Sequence, residues 1–258
     1  MGDELYGTLA GVYDWLVPDA LLAPQGTVAA FADVVDDLQP GARVLDCAAG
    51  TGQLAVGLAL RGFDVVASDA SSEMIRRTRA LAARHGVALQ AVTCAWEELP
   101  GRGWQEAFDA VFCVGNSLVH AAGHVGRRTA LAAMAGVLRD GGLLAVTSRN
   151  WERLRDERPG LEVGDRLVRR AGRQGLVIHA WTIPDGWEEA HRLEVAVAIF
   201  DQAGAVTTHV ERLAFWPFSH RTLDGDLRAA KLTPLSSTYS SQSERYLVTA
   251  RRGRAGPA

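Results

Sequence analysis

The chain has 258 residues, 48% of them hydrophobic, with 27 basic and 30 acidic side chains and a formal net charge of −3. At roughly 100 to 200 residues per domain, that length allows one generous domain or two small ones, and the apolar content excludes intrinsic disorder. Apolar stretches such as Leu193 to Phe200 and Gly141 to Val146 fall far below the ~20 residues that cross a bilayer, so no membrane span is expected.

The segment Met1 to Tyr6 is short and acidic, without the cationic start or apolar run of a secretory signal, and Tyr6 stands where a myristoylation site carries Ser or Thr. A cytoplasmic location is expected. Cys47, Cys94 and Cys113 lie far apart within apolar segments, which points to packing roles, no disulfide framework and no metal site. Lys231 is the only lysine, and the arginines are interspersed with acids; even the run Arg166, Arg169, Arg170 and Arg173 is diluted by Glu162 and Asp165. A solvated surface explains this pattern better than a nucleic-acid track.

In chain order, Leu9, Val12 and Leu16, then Val28, Phe31, Val34, Val35 and Leu38, recur at near-helical spacing, which predicts helices over residues 1–40 ended by Pro40-Gly41. From Arg43 strands and helices alternate: Val44-Leu45, a glycine turn, Leu54 to Leu60, Val65 to Ala67, Glu73 to Arg84, Val87 to Cys94, Ala110 to Val114, Arg128 to Leu138 and Leu143 to Thr147. That rhythm predicts an α/β fold with a mostly parallel, doubly wound sheet covered on both faces. After Asn150 the strand-like stretches Leu167-Val168, Leu176 to Ile183, Arg192 to Phe200 and Val206 to Trp216, joined by turn signals, read as an antiparallel hairpin insertion in the sheet fold, after its fifth strand. A helix near Leu223 to Ala230 and a strand at Tyr246 to Thr249 return to the first pattern, and residues 251–258 read as a frayed tail. The expected organisation is one domain: lid helices 1–40, core 41–150, insertion 151–218, and final helix and strand 219–250.

The segment Val44 to Gly52 leads from a strand through Gly50 and Gly52 into a helix, and the next strand ends at Asp69, 17 residues beyond Gly52. Glycines there let backbone approach a ligand closely, and the acid can take ribose hydroxyls, so a nucleotide ligand is expected. Asp46, four residues before Gly50, would repel the pyrophosphate of a dinucleotide but attract the ammonium and sulfonium of S-adenosylmethionine.

VLDCAAGTG (44–52) with the following SDAS resembles the motifs of class I S-adenosylmethionine-dependent methyltransferases. CVGNSLVH (Cys113 to His120) and GGLLAVTSRNW (Gly141 to Trp151) are similar to stretches of the glycine/sarcosine N-methyltransferase group, and the opening LAGVYDW (Leu9 to Trp15) resembles the lid helix of bacterial small-molecule methyltransferases. The resemblance implies a Rossmann-like, seven-stranded sheet. It implies that Asp46, Ala48 and the backbone of Val114 flank the methionine end of the cofactor, that Asp69 beside Ala70 takes the ribose, and that Met74, Ala95 and Trp96 surround the adenine. It also implies that Asn116 and Arg149 hold a substrate carboxylate with His120 nearby. Ala95 departs from the family's usual Asp or Asn, and Ser148, Trp151 and Glu152 replace its His, Tyr and Asp around Arg149.

Arg149 follows an apolar strand at the sheet's carboxyl end, where its guanidinium suits a carboxylate, though a surface acid such as Glu152 is an alternative partner. Asn116 suits either a substrate contact or an Asx turn. Tyr6 and Tyr13 suit closure over the cofactor or plain packing. The expected reaction is methyl transfer from S-adenosylmethionine to the nitrogen of a small, carboxylate-bearing acceptor, with no nucleic-acid or membrane partner and self-association left open. An O-methyltransferase or an S-adenosylmethionine-consuming cyclase would use the same fold; a nicotinamide oxidoreductase or a non-catalytic nucleotide-binding protein is the more distant reading.

Overall fold

The computed structural model describes residues 9–253; Tyr6 and the last five residues lie outside them. A seven-stranded sheet is built from β1 (Arg43–Asp46), β2 (Asp64–Asp69), β3 (Gln90–Thr93), β4 (Phe108–Cys113), β5 (Leu138–Arg149), β11 (Leu232–Ser237) and β12 (Arg245–Arg252), in the order β11-β12-β5-β4-β1-β2-β3. Strands β1 to β5 run parallel, whereas β12 is antiparallel to both β5 and β11. Residues 251 and 252, expected in a frayed tail, pair with Thr233 and Leu232 inside the sheet.

Alternation along these strands feeds two cores. Val44, Val65, Ala110 and Ala145 meet α1 (Pro24–Ala29), α2 (Ala32–Val35) and α3 (Gln53–Leu60) on one face. Leu45, Val66, Val111 and Leu144 meet α5 (Gly123–Val137) and α7 (His220–Ala229) on the other. A parallel sheet buried on both sides needs apolar residues at both parities, which these strands supply.

Residues 9–40 depart from the expected helices. They fold as 3-10 turns at Leu9–Trp15 and Asp19–Leu21 followed by the short α1 and α2. Val12 leaves the helical region (φ −127°), Pro18 and Pro24 interrupt the run, and a side chain on Gly26 would strike the Ala20 carbonyl. The span Val87 to Cys94 narrows to the four-residue β3.

The segment after β5 folds as the expected antiparallel insertion, and its strands form a second sheet. α6 (Trp151–Glu157) leads to β6 (Leu161–Val163), β7 (Val168–Arg170), β8 (Arg173–Thr182), β9 (His191–Phe200) and β10 (Val206–Phe215), in the order β10-β9-β8-β6 with β7 also paired to β8. Its inner face, including Leu193, Val195, Val197 and Phe215, joins the larger core. Arg170 ties it to the N-terminal segment, donating to the carbonyls of Asp14 and Val17 at 2.9 Å and pairing with Asp19 at 2.7 Å.

Candidate active site

In the strand order β2-β1-β4 the chain crosses to opposite sides of β1, and open α/β sheets hold ligands at the carboxyl ends beside such a reversal. A cavity of about 810 Å³ opens there. Its walls come from the ends of β1 and β4, from Leu16, Val17, Pro18 and Leu21 of the N-terminal segment, from Ser117 and His120 to Ala122, and from Thr238 and Arg245 to Leu247.

Asp46 ends β1 and is 1% exposed. Burial pushes its carboxyl up to about 7, with backbone amides at Ala48 and Ala55 opposing and the Asp69 carboxylate adding to the rise. Its Oδ1 is buried with no hydrogen-bond partner among the described residues. A carboxylate in this state is stabilised by a cation entering the cavity.

The glycine turn is fastened by Asp69. Its Oδ2 accepts from the Gly50 amide and its Oδ1 from the Ser71 amide, each at 2.9 Å, which leaves one lone pair on each oxygen for hydroxyl donors. Gly52 (φ 93°) begins α3, and a Cβ there would lie 2.9 Å from Thr78, whose hydroxyl donates to the Gly50 carbonyl at 2.9 Å. Ser71 caps α4 (Ser72–His85), accepting from the Met74 amide, and sets Met74 against the cavity. Trp96 is clamped by its Nε1–H, which donates to the Cys47 carbonyl at 2.8 Å. The Ala95 amide is already engaged by Glu98 at 2.8 Å, and the neighbouring Glu97 also lines the cavity.

Tyr13, Asp46, Ala48, Gly50, Asp69, Ala70, Met74, Ala95, Trp96, Val114 and His120 all line the cavity. Gly52 does not, and acts through the turn. Burial and the Asp69 carboxylate raise the Tyr13 hydroxyl, while Arg245 opposes. His120 packs on Phe215 with ring centroids 5.0 Å apart, and burial lowers it to about 4, so its imidazole is neutral at ordinary pH.

Asn116 and Arg149 are not among the lining residues. Asn116 adopts a left-handed conformation (φ 67°), and its Oδ1 accepts from the Arg149 amide at 2.9 Å, which makes it a brace between the ends of β4 and β5 and not the cap of the following turn. The Arg149 guanidinium sits over Trp181, 5.3 Å from the ring centroid. The cation at the cavity is Arg245, which pairs in register with Arg149 across β5 and β12. Sequence reading missed it, along with Tyr246 and Thr147, because nothing local marks a strand start about 200 residues away from Asp46 as part of the same wall. Cys47 and Cys94, expected only to pack, also line the cavity.

Residues 44–142 match the family described as "Methyltransferase domain", and the fold is that of S-adenosylmethionine-dependent methyltransferases. Curated relatives include the glycine/sarcosine N-methyltransferase of Aphanothece halophytica, 40% identical over 115 residues (45% of this chain, 43% of that one), and the glycine N-methyltransferase of Rattus norvegicus, 34% identical over 125 residues (43% and 41%). The match therefore spans less than half the length of these relatives. Among solved structures, an S-adenosylmethionine-bound amino pentose methyltransferase from Micromonospora echinaspora superposes with TM-score 0.74 at 24% identity, covering 98% of each chain. An S-adenosylmethionine-dependent methyltransferase from Clostridium acetobutylicum gives 0.74 at 16% identity, covering 96% and 99%.

Proposed function

We propose that the protein transfers a methyl group from S-adenosylmethionine to the nitrogen of a small, anion-bearing acceptor. The observation that carries this reading is the buried Asp46 oxygen left without a partner at the mouth of the glycine turn, where an ammonium or sulfonium completes it and a pyrophosphate would be repelled. The N-methyltransferase names of the relatives support nitrogen as the acceptor atom.

When bound, S-adenosylmethionine supplies an already activated methyl group, which leaves positioning as the protein's main task. Asp46 holds the cationic end, the free lone pairs of Asp69 suit the ribose hydroxyls, and Met74 and Trp96 suit the two sides of a flat base. Tyr13, Tyr246, Leu16, Val17, Pro18 and Leu21 give the cavity a largely apolar wall against the cofactor and acceptor. Neutral His120 accepts a hydrogen bond from an amine and orients its lone pair, but with a value near 4 it does not keep the proton the nitrogen sheds, which passes to solvent. Arg245 in the wall, with Arg149 behind it, gives the acceptor's anionic group its counter-charge.

Calorimetry with S-adenosylmethionine, followed by release of S-adenosylhomocysteine on addition of amino acids, amino sugars and simple amines, tests the reading. Arg245→Ala is expected to raise the acceptor KM by about tenfold or more while leaving cofactor affinity within about twofold, since it removes one charge-assisted contact. An absence of S-adenosylmethionine binding would overturn the proposal. Methylthioadenosine as product would replace transfer by cyclisation.

A further inference from the structure

Among the residues lining the cavity, the acids Asp46, Asp69 and Glu97 face a single cation, Arg245. S-adenosylmethionine and an anion-bearing acceptor bring two anionic groups to it, the acceptor's own and the carboxylate of the cofactor's amino acid end. One guanidinium facing two separate anions leaves one of them to neutral donors.

The cofactor's carboxylate sits on the same carbon as its ammonium, so the group that holds one fixes the place of the other. An ammonium completing Asp46 lies at the first turn of α3, because the Asp46 carboxylate already accepts from the Ala55 amide of that turn. Two kinds of unused donor meet there. Gly52 supplies no capping side chain, so the Gln53 and Leu54 amides keep the free N–H groups of a helix start, at the positive end of its dipole. The Gln53 side chain lines the cavity, and its Oε1 is taken by the Thr51 hydroxyl at 2.7 Å, which turns the Nε2 hydrogens the other way, with no acceptor among the described residues. Nearby hydroxyls are engaged elsewhere: Thr27 donates to the Leu21 carbonyl at 2.8 Å and Ser117 to the Val114 carbonyl at 2.6 Å. What marks this helix start as a ligand site is Asp46 beside it, 1% exposed, whose Oδ1 has no partner among the described residues. A carboxamide suits the place better than a cation, because an arginine so near Asp46 would pair with it and close the ammonium site.

We propose that the Gln53 carboxamide, together with the Gln53 and Leu54 amides, binds the carboxylate of S-adenosylmethionine, which leaves Arg245 to the acceptor. The inference rests on the proposed function in taking S-adenosylmethionine as the ligand. Calorimetry with S-adenosylmethionine and with its decarboxylated analogue, which keeps the adenosine, the sulfonium and the ammonium, tests it. The wild type is expected to prefer S-adenosylmethionine by about tenfold or more. Gln53→Glu keeps an acceptor for Thr51 and replaces the donors by a like charge, so it should weaken S-adenosylmethionine by about 100-fold while the analogue binds at least about as tightly as to the wild type, which also shows that the fold survives. Gln53→Leu should remove most of the preference, and Arg245→Ala should leave it intact. A wild type without the preference, Gln53 variants that weaken both ligands alike, or an Arg245→Ala variant that loses the preference would each overturn the proposal. A wild type that binds neither ligand would overturn the proposed function itself, and this inference with it.

Discussion

Asp46→Asn removes one charge and almost no volume, so it isolates the cost of keeping a carboxylate in the wall of an empty cavity. Burial raises this group from 3.8 to about 7. At about 1.36 kcal/mol for each tenfold change in proton affinity, that gap corresponds to about 4 kcal/mol, an upper bound because water reaches the cavity. The sign follows from proton counting: between the two values the folded state holds the proton more tightly than the unfolded one. Folding is therefore unpenalised below about 4, loses stability as the pH climbs, and carries the full cost above about 7.

Denaturant titrations of the cofactor-free protein should show the Asn variant level with the wild type near pH 4 and more stable by a few kcal/mol near pH 8. Cofactor binding should move the opposite way. A cation beside Asp46 returns its carboxyl toward the ordinary range, so binding near pH 6 should release a proton, seen as a buffer-dependent heat, and affinity should rise with pH. The Asn variant should lose that proton release and about 1.5 to 3 kcal/mol of affinity, or roughly 10- to 100-fold. Parallel stability profiles for the two proteins, or undiminished affinity in the variant, would refute the reasoning.

Three further outcomes are expected. Arg127 and Asp226 form an ion pair at 2.7 Å with both side chains 5% exposed, joining α5 to α7; Asp226→Ala strands the guanidinium and should cost about 3 to 5 kcal/mol by chemical denaturation. Gly52→Ala combines a positive φ with a Cβ placed 2.9 Å from Thr78, and should cost about 1 to 3 kcal/mol and weaken S-adenosylmethionine binding in calorimetry as Gly50 shifts. Arg170→Ala frees the carbonyls of Asp14 and Val17, and hydrogen exchange should accelerate over residues 9–21 while the amides of β1 and β4 keep their protection.

The central sheet was legible because its strands are short apolar runs set off by turn signals and alternating with helices, so pattern and packing agree from Arg43 to Thr147. The N-terminal segment misled because Leu9, Val12 and Leu16 recur at helical spacing for a different reason. Leu9, Val12 and Trp15 face the core from a kinked 3-10 turn, and the prolines at 18 and 24 decide where the helices break. The hairpins were visible as hairpins, yet whether they joined the first sheet or formed a second one depends on contacts such as Trp15 against Gly175, which no local pattern encodes. β11 escaped notice because Pro234 interrupts an otherwise unremarkable stretch; it is tolerated there because β11 is an edge strand.

The same distinction between local and assembled features separates the two halves of the cavity. Asp46, Gly50, Asp69, Met74 and Trp96 lie within 51 consecutive residues, inside the segment 44–142 that matches the methyltransferase domain, and each sits on a strand end or turn with a recognisable signature. The opposite wall draws Tyr13 and Leu16 from the start of the chain, Thr147 from the end of β5, and Arg245 and Tyr246 from β12, all outside that segment. These residues meet because β12 inserts beside β5 and because Arg170 pins the N-terminal turns onto the second sheet. Under the proposed function, a chain built this way can keep its cofactor half and change its acceptor through substitutions in three distant places. The acceptor is therefore to be sought by varying the anionic group offered to Arg245 and the apolar bulk offered to Leu16 and Tyr246, with the cofactor half left untouched.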